Sequence, residues 1–357
     1  MLERLCYLQG HAGRSVMNML AADMGGTQSR FYRFSCEDGE ISIKEGVVLP
    51  SSCISFEALL AKLVSCWPEQ GKMLKNVSLL IFAAAGPVRD GRIVMTNASF
   101  SVEKTVAEAC FRGAHCLVMN DFEAQAWACL SPAMEEAVLL LPGRGVSGKS
   151  HGFEALSGLT GSLAPVVVTG AGTGLGAAWL LPGRTDGEEA FVLPSEAGHM
   201  AFPFEGKEEL GFADFLEERR GGPVTAEHVL SGPGLALLYE YLCGRAKEPA
   251  CFTQEPGFAE SSCCRLFARF YGRFCRTAAL SLLPQAVVVT GGVAGRTPSL
   301  MRHPEFAREF LRAKGGQREL LSRIPVWLNR HPLAGLWGAA RAGVAFAGGL
   351  CRAPETC

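Results

Sequence analysis

Neither sign of charge is in surplus along this chain: 34 Lys and Arg stand against 35 Asp and Glu in 357 residues, a formal net charge of −1. No Lys/Arg run occurs either, so the sequence carries no electrostatic footprint for nucleic acid or for an anionic membrane surface. None of the 14 cysteines forms a Cys-x-x-Cys pair; they are scattered singly (Cys6, Cys36, Cys53, Cys66 and onward) apart from the adjacent Cys263 and Cys264. That excludes the spacing of a structural zinc site and argues against a disulfide framework, leaving reduced thiols that pack as small hydrophobes. The first residues carry Glu3, Arg4, His11 and Arg14 and no apolar core, so no signal peptide is expected. Long apolar runs are missing too. Ala155–Gly183 holds no charged residue, but Pro165 and the run Thr169-Gly170-Ala171-Gly172-Thr173-Gly174 break it into two short strands around a turn, and Arg341 interrupts the apolar C-terminal segment. No transmembrane helix is expected.

The composition, 48% hydrophobic and 19% charged, is that of a globular chain long enough for two domains of roughly 100–200 residues. Val16–Ala22, Phe31–Phe34 and Ile41–Ile43 read as three strands separated by a Gly turn and a polar turn, a meander. Apolar residues at Phe56, Leu59, Leu60, Leu63 and Val64 predict a helix over 56–66, and the unbroken apolar run Val77–Ala84 predicts a strand covered on both faces. Ser101 is placed to cap a helix running to about Phe111. Cys116–Met119 reads as a strand, followed by a helix over 122–129. The pattern then starts again: Val166–Val168, a Gly turn, and Ala177–Leu181 form a second hairpin. Helices are expected at about 207–219, 234–243 and 257–283, strands at 286–289 and 326–328, and an Ala/Gly-rich closing helix over 332–350. Two halves that each begin with a strand–Gly turn–strand unit suggest a duplicated α/β architecture, with ligands at the carboxyl ends of strands. The Gly/Ser-rich stretch 141–164 reads as an insertion.

Glycine is abundant, at 42 residues, and its clusters coincide with these turns. In Asp23-Met24-Gly25-Gly26-Thr27 the glycines let backbone N–H groups approach an anion, the Thr hydroxyl adds a donor, and an aspartate beside phosphates is a natural partner for Mg²⁺. A plain hairpin fits the same residues. Gly172-Thr173-Gly174-Leu175-Gly176 repeats the chemistry; it lacks the Gly-Lys-Ser/Thr of a Walker loop and enters a strand where a dinucleotide fingerprint would enter a helix. Together the two turns suggest a clamp on one polyphosphate. Gly291-Gly292, after the 286–289 strand, can admit a flat base or ribose. Asp121 sits where a strand meets a helix, a position that suits an N-cap and equally a general base for a hydroxyl. Glu196-Ala197-Gly198-His199 sets a carboxylate and an imidazole three residues apart, suited to a polyhydroxylated ligand.

As a set, these segments resemble the bacterial glucokinase family, ATP-dependent hexose kinases of the actin-like ATPase (ribonuclease H-like) superfamily. The resemblance runs through Ala22–Thr27, Ala85-Gly86-Pro87-Val88, Met95-Thr96-Asn97, Asn120-Asp121-Phe122, Gly170–Gly176, Glu196–His199, Thr225–Leu235, Gly291-Gly292 and His331–Gly338, in the family's order and over nearly the whole chain. It implies a two-lobed α/β fold, each lobe a mixed β-sheet flanked by helices, with the active site in the interdomain cleft. The small domain would span 15–120, completed by the helix at 332–350, and the large domain 121–331. The implied substrates are ATP and glucose, with Mg²⁺, and the product glucose 6-phosphate feeds glycolysis. The implied setting is cytoplasmic, in a homodimer that binds no nucleic acid or membrane.

By the same resemblance, Asp121 is the catalytic base toward the sugar 6-hydroxyl. Asn97, Asn120, Glu196, His199 and Glu227 are the hexose ligands. Asp23 (toward Mg²⁺, through water), Gly25, Gly26, Thr27, Gly172, Thr173 and Gly174 form the phosphate environment, with Gly291 and Gly292 near the adenosine. Met24, Gln28 and Ala197 depart from the family's usual residues without removing a reacting group. Three rivals weigh against this reading. A kinase of the repressor–ORF–kinase (ROK) family acting on another hexose or amino sugar would carry a Cys-rich zinc motif after the His, whereas Met200-Ala201-Phe202-Pro203-Phe204 follow here and the next cysteine is Cys243. A non-catalytic sugar sensor would need a helix-turn-helix segment, and about 15 residues ahead of the first strand are too few. An actin-type assembly ATPase would hydrolyse ATP without sugar.

Overall fold

The computed structural model of the chain describes residues 16–53, 55–67, 74, 76–95, 98–144, 164–183 and 190–352; the N-terminal extension, Asn97 and most of the 141–164 stretch lie outside them. The chain divides into two compact units, one formed by residues up to Ala133 together with those from Leu333 onward, the other by Met134–Pro332.

In the first unit, β1 (Val16–Met24), β2 (Gln28–Glu37) and β3 (Glu40–Pro50) form the expected antiparallel meander. β4 (Leu79–Ala84), every residue of it buried, lies parallel to β1, as a run apolar on both faces requires. A small three-stranded sheet of β5 (Val88–Arg89), β6 (Arg92–Val94) and β7 (Ser101–Glu103) follows, and β8 (His115–Asn120) then pairs in parallel with β4, giving the order β3-β2-β1-β4-β8. Asp23 stands one residue from the end of β1, opposite Ala83 on β4, and Asn120 is opposite Ala84. The carboxyl ends of the parallel strands therefore carry Asp23 and, one residue beyond β8, Asp121.

The helix opened by Asp121 (Asp121–Trp127) belongs to this unit, so the boundary lies beyond Ala133 and not at 120/121 as the sequence suggested. The reason is its packing against the closing helix Ala334–Arg352, where a Cβ on Gly338 would overlap the Ala124 carbonyl oxygen. The closing helix is also anchored by Trp337, edge-on to Phe34 with ring centroids 5.3 Å apart.

The second unit repeats the plan. β10 (Val166–Ala171), β11 (Leu175–Leu181) and β12 (Phe191–Ser195) make an antiparallel meander, and β13 (Ala286–Thr290) and β14 (Val326–Leu328) extend it in parallel. An antiparallel edge strand, β9 (Val138–Leu141), completes the order β12-β11-β10-β13-β14-β9. The fold is the expected pair of mixed sheets flanked by helices. The core of this unit is built on the helix Ser262–Leu282, with Phe270 packed against Phe202, Phe204 and Phe212.

Three local expectations fail for identifiable reasons. Ser101 does not cap a helix: it pairs in β7 and its hydroxyl accepts from Arg92 Nη2 at 2.9 Å, so the helix begins at Lys104. The helix expected over 257–283 is broken, because Ser261 caps a new start by accepting from Cys264 N–H at 3.1 Å, with only a short 3₁₀ turn (Phe258–Glu260) before it. The helix expected over 122–129 ends at Trp127 and passes into a 3₁₀ turn.

Buried charge holds the second unit together. Arg273 is only 1% exposed; its Nη2 donates to Glu209 Oε1 at 3.0 Å, its Nε to Glu309 Oε1 at 3.0 Å and its Nη1 to the Pro203 carbonyl at 2.8 Å. Arg276 adds a second cation on Glu309 at 2.8 Å. Removing one partner strands the others without compensation. Arg273→Ala should therefore lower unfolding stability by about 3–5 kcal/mol in urea titrations.

Candidate active site

The first-unit turn is held from a distance. Gly25 N–H donates to the Gln28 carbonyl at 3.0 Å, and Ser51, 26 residues away, donates its hydroxyl to the Gly25 carbonyl at 2.6 Å while sharing a hydrogen bond with Ser29. The Gly25 N–H is thus engaged inside the turn in this structure. Among the described residues nothing accepts from the N–H groups of Gly26 and Thr27, and Thr27 is exposed. Burial pushes the Asp23 carboxyl up from its ordinary value, opposed by Arg30, whose Nη1 lies 3.7 Å from Oδ2. Gly335 of the closing helix packs against this carboxylate; a Cβ there would be 3.6 Å from Cγ.

At the end of β8 the helix cap is Asn120. Its Oδ1 accepts from Phe122 N–H at 2.8 Å, while its own N–H donates to Glu123 Oε2 at 2.8 Å, a capping box. Its amide Nδ2 donates to the Gly86 carbonyl at 3.0 Å. These contacts fix the Asn120 side chain and use one of its two amide N–H donors and one of its two oxygen lone pairs. Asp121 occupies the first helical position, and its Oδ1 accepts from Phe122 N–H at 3.0 Å. The Phe122 N–H is thus shared between Asn120 Oδ1 and Asp121 Oδ1.

In the second unit the turn between β10 and β11 consists of Gly172, Thr173 and Gly174. Gly172 N–H donates to the Gly174 carbonyl at 2.8 Å, and the Gly172 carbonyl accepts from Gly232 N–H at 2.8 Å. The Gly172 amide is likewise engaged inside its own turn. Thr173 and Gly174 remain at the tip, with no acceptor for their N–H groups among the described residues. Tyr271, fully buried on the long helix, accepts from Ala171 N–H at 3.2 Å and ties the end of β10 to the core.

Gly291 has φ +90°, and a Cβ on it would stand 2.7 Å from the Ala171 carbonyl oxygen. Its glycine character is required by this close approach of β13's end to β10's end. Over Gly292 lies the guanidinium of the exposed Arg296, 2.8–3.1 Å from where a Cβ would stand.

Glu196, His199 and Glu227 do come together. His199 Nδ1 is 3.0 Å from Glu196 Oε2, and its Nε2 is 4.0 Å from Glu227 Oε1, with the His and Glu196 side chains mostly exposed. Such a row offers alternating acceptors and donors to vicinal hydroxyls. No signal along the chain marks what holds Glu227: its Oε2 accepts from Leu175 N–H at 3.0 Å, a contact 52 residues apart. Asn97, the remaining expected ligand, lies outside the described residues.

The class is that of the sugar kinases built on paired mixed sheets. The glucokinase of Balamuthia mandrillaris, solved in complex with glucose, superposes with a TM-score of 0.74 at 18% identity, covering 96% of this chain and 97% of that one. The glucokinase of an Antarctic psychrotroph gives 0.71 at 24% identity, covering 92% and 98%. At these identities the likeness is one of fold. The glucokinase family profile matches residues 20–345, and the glucokinase of Tolumonas auensis is 31% identical over 335 residues, 90% of this chain and 95% of that protein. The chain belongs to the glucokinase family, and that membership makes it an ATP-dependent hexose kinase.

Glu227 sits on a one-turn helix (Ala226–Val229) whose start is secured by His228: Thr225 N–H donates to His228 Nδ1 at 3.2 Å. Burial, with Arg220 adding to it, holds the His228 imidazole below its ordinary value of 6.5. A depressed folded-state value means that the unfolded chain takes up the proton first, so this contribution is present above pH 6.5 and is lost as pH falls. His228→Gln keeps an acceptor at the same capping position without the titration. In urea titrations at pH 7.5 and 5.5, the variant should match wild type at the higher pH and lose less stability on acidification.

Proposed function

We propose that the protein is a glucokinase that transfers the γ-phosphoryl group of ATP to the 6-hydroxyl of D-glucose, giving glucose 6-phosphate and ADP. The observation that carries this reading is the site chemistry repeated at strand carboxyl ends in a chain of this family. Each unit has a glycine turn whose tip amides are unengaged among the described residues, at Gly26-Thr27 and Thr173-Gly174. Asp121 stands one residue beyond β8, at the first position of the helix that Asn120 caps.

Phosphoryl transfer needs positioning, charge neutralisation and a base at the acceptor oxygen more than covalent chemistry. The tip amides and the Thr27 and Thr173 hydroxyls hold phosphate oxygens. Glu196, His199 and Glu227 orient the sugar through its hydroxyls. Asp121 accepts the proton of the 6-hydroxyl as that oxygen attacks. Mg²⁺ uses one or two carboxylates with phosphate oxygens and waters, and the single carboxylate of Asp23 suits that requirement; among the described residues no cluster of three His, Cys, Asp or Glu offers an all-protein cage. When bound, the ion neutralises charge developing on the transferring phosphoryl group.

A cytoplasmic homodimer accords with this reading. The eleven cysteines whose side chains are described are free thiols, and among the described residues no helix is long and apolar enough to cross a membrane. A ROK-type specificity for another hexose or an amino sugar is disfavoured by Met200–Phe204 standing where that family's cysteines would follow the His.

A coupled assay of ADP release over glucose, mannose, fructose and N-acetylglucosamine tests the function directly; the highest kcat/KM is expected for glucose, and sugar-independent ATP hydrolysis would reject the reading. Asp121→Asn should lower kcat by at least about 10²-fold while glucose still binds, and near-normal turnover would remove Asp121 as the base.

A further inference from the structure

One carboxylate in the second unit serves two groups of residues that the proposed function assigns to different substrates. Glu227 Oε2 accepts from Leu175 N–H at 3.0 Å, on the residue that follows the phosphate turn. Glu227 Oε1 faces His199 Nε2 at 4.0 Å, within the row assigned to the hexose hydroxyls. The contact exists because Gly174 has no side chain: a Cβ there would overlap Glu227 Oε2.

The other face of Leu175 is gripped as well. A Cβ on Gly198, inside the Glu196–His199 loop, would overlap the Leu175 carbonyl oxygen. The two hexose segments are themselves joined, since Ala226 N–H donates to the Met200 carbonyl at 2.8 Å. Both peptide groups flanking Leu175 are therefore in contact with the parts of the chain that carry Glu196, His199 and Glu227.

We infer that Glu227 is a positioning residue that couples hexose binding to the shape of the phosphate turn, so that sugar and nucleotide bind synergistically. The inference rests on the proposed glucokinase reading and adds a route to it. A carboxylate is planar, so a sugar hydroxyl that fixes Oε1 also fixes the direction of Oε2. The turn then loses freedom that the nucleotide would otherwise have to remove, and the second ligand binds more tightly. Such coupling is reciprocal: whatever factor glucose confers on nucleotide binding, the nucleotide confers on glucose.

The test combines calorimetric titration with amide hydrogen exchange on the full chain, using glucose and the non-hydrolysable Mg²⁺ complex of adenylyl imidodiphosphate. In wild type, glucose alone should slow exchange of the Leu175 amide, and saturating glucose should tighten nucleotide binding by about fivefold or more. In Glu227→Ala, measured at glucose concentrations that saturate the variant, the protection of Leu175 and most of the coupling factor should disappear. Gly174→Ala, which pushes Glu227 off the turn, should weaken glucose binding even with no nucleotide present. Should that variant fail to fold, Glu227→Ala, which removes both contacts, carries the same decision. Glu196→Gln, in the sugar row but not in contact with Leu175, should weaken glucose binding and keep the coupling factor. Independent binding of the two ligands to wild type, or full coupling in Glu227→Ala, overturns the inference and leaves the glucokinase reading intact. Wild type that binds no glucose overturns both.

Discussion

Backbone approaching backbone where a side chain would not fit is the constraint on which the second unit depends. The parallel strands β10 and β13 end against each other at Gly170 and Gly291. A Cβ on Gly170 would lie 2.6 Å from the Thr290 carbonyl, and one on Gly291 would lie 2.7 Å from the Ala171 carbonyl. Because the strands can close to that distance, the β10–β11 turn starts from a rigid base, with Tyr271 and Gly232 holding its two sides. Substituting these glycines would displace the turn before it disturbed any ligand contact. Their requirement for glycine is therefore structural first, and the chemistry of the turn follows from it.

The hydrogen-bond inventory separates residues that shape the site from residues left available to a substrate. Of each glycine turn's amides, one is consumed internally, Gly25 by Gln28 and Gly172 by the Gly174 carbonyl, and the tips remain. Asn120 is engaged at both ends of its amide, and the Phe122 N–H it caps is shared with Asp121. The same logic distinguishes the acidic residues of the second unit. Glu209 and Glu309 neutralise a buried arginine, whereas the Glu196 and His199 side chains are mostly exposed, beside each other and Glu227. Groups already satisfied inside the fold have little left to offer a ligand, and unsatisfied groups at strand carboxyl ends are where binding is expected.

The duplication also explains how one chain supplies two similar turns with different supports. Both sheets contain an antiparallel three-strand meander extended by two parallel strands, the second sheet adding the antiparallel edge strand β9, and each turn joins the first two strands of its meander. The first turn is braced by Ser51, one residue past the end of β3, and the second by the N-terminus of a helix at Gly232. The common geometry comes from the repeated topology. The bracing residues differ because the segments packed against the two turns come from different kinds of element, a strand end in one unit and a helix start in the other.

Much of the architecture was legible along the chain, because its signals are local. Alternation and unbroken apolar runs marked β1, β4, β10 and β13, the 3.6-residue spacing of Phe56, Leu59, Leu60 and Leu63 marked a helix to the residue, and glycine clusters marked both turns. The aspartates and the Glu–His pair could be picked out since their residue types and their positions at element ends are themselves sequence properties. What braces the two turns, what holds Glu227, and where the first unit ended depended on groups far apart in the chain. Ser51 reaches Gly25, Gly338 meets Ala124 and Glu227 holds Leu175. No periodicity encodes such pairings. They are decided only when packing brings the segments within hydrogen-bond distance, and there the tertiary structure determined which of the legible residues are framework and which remain free to act.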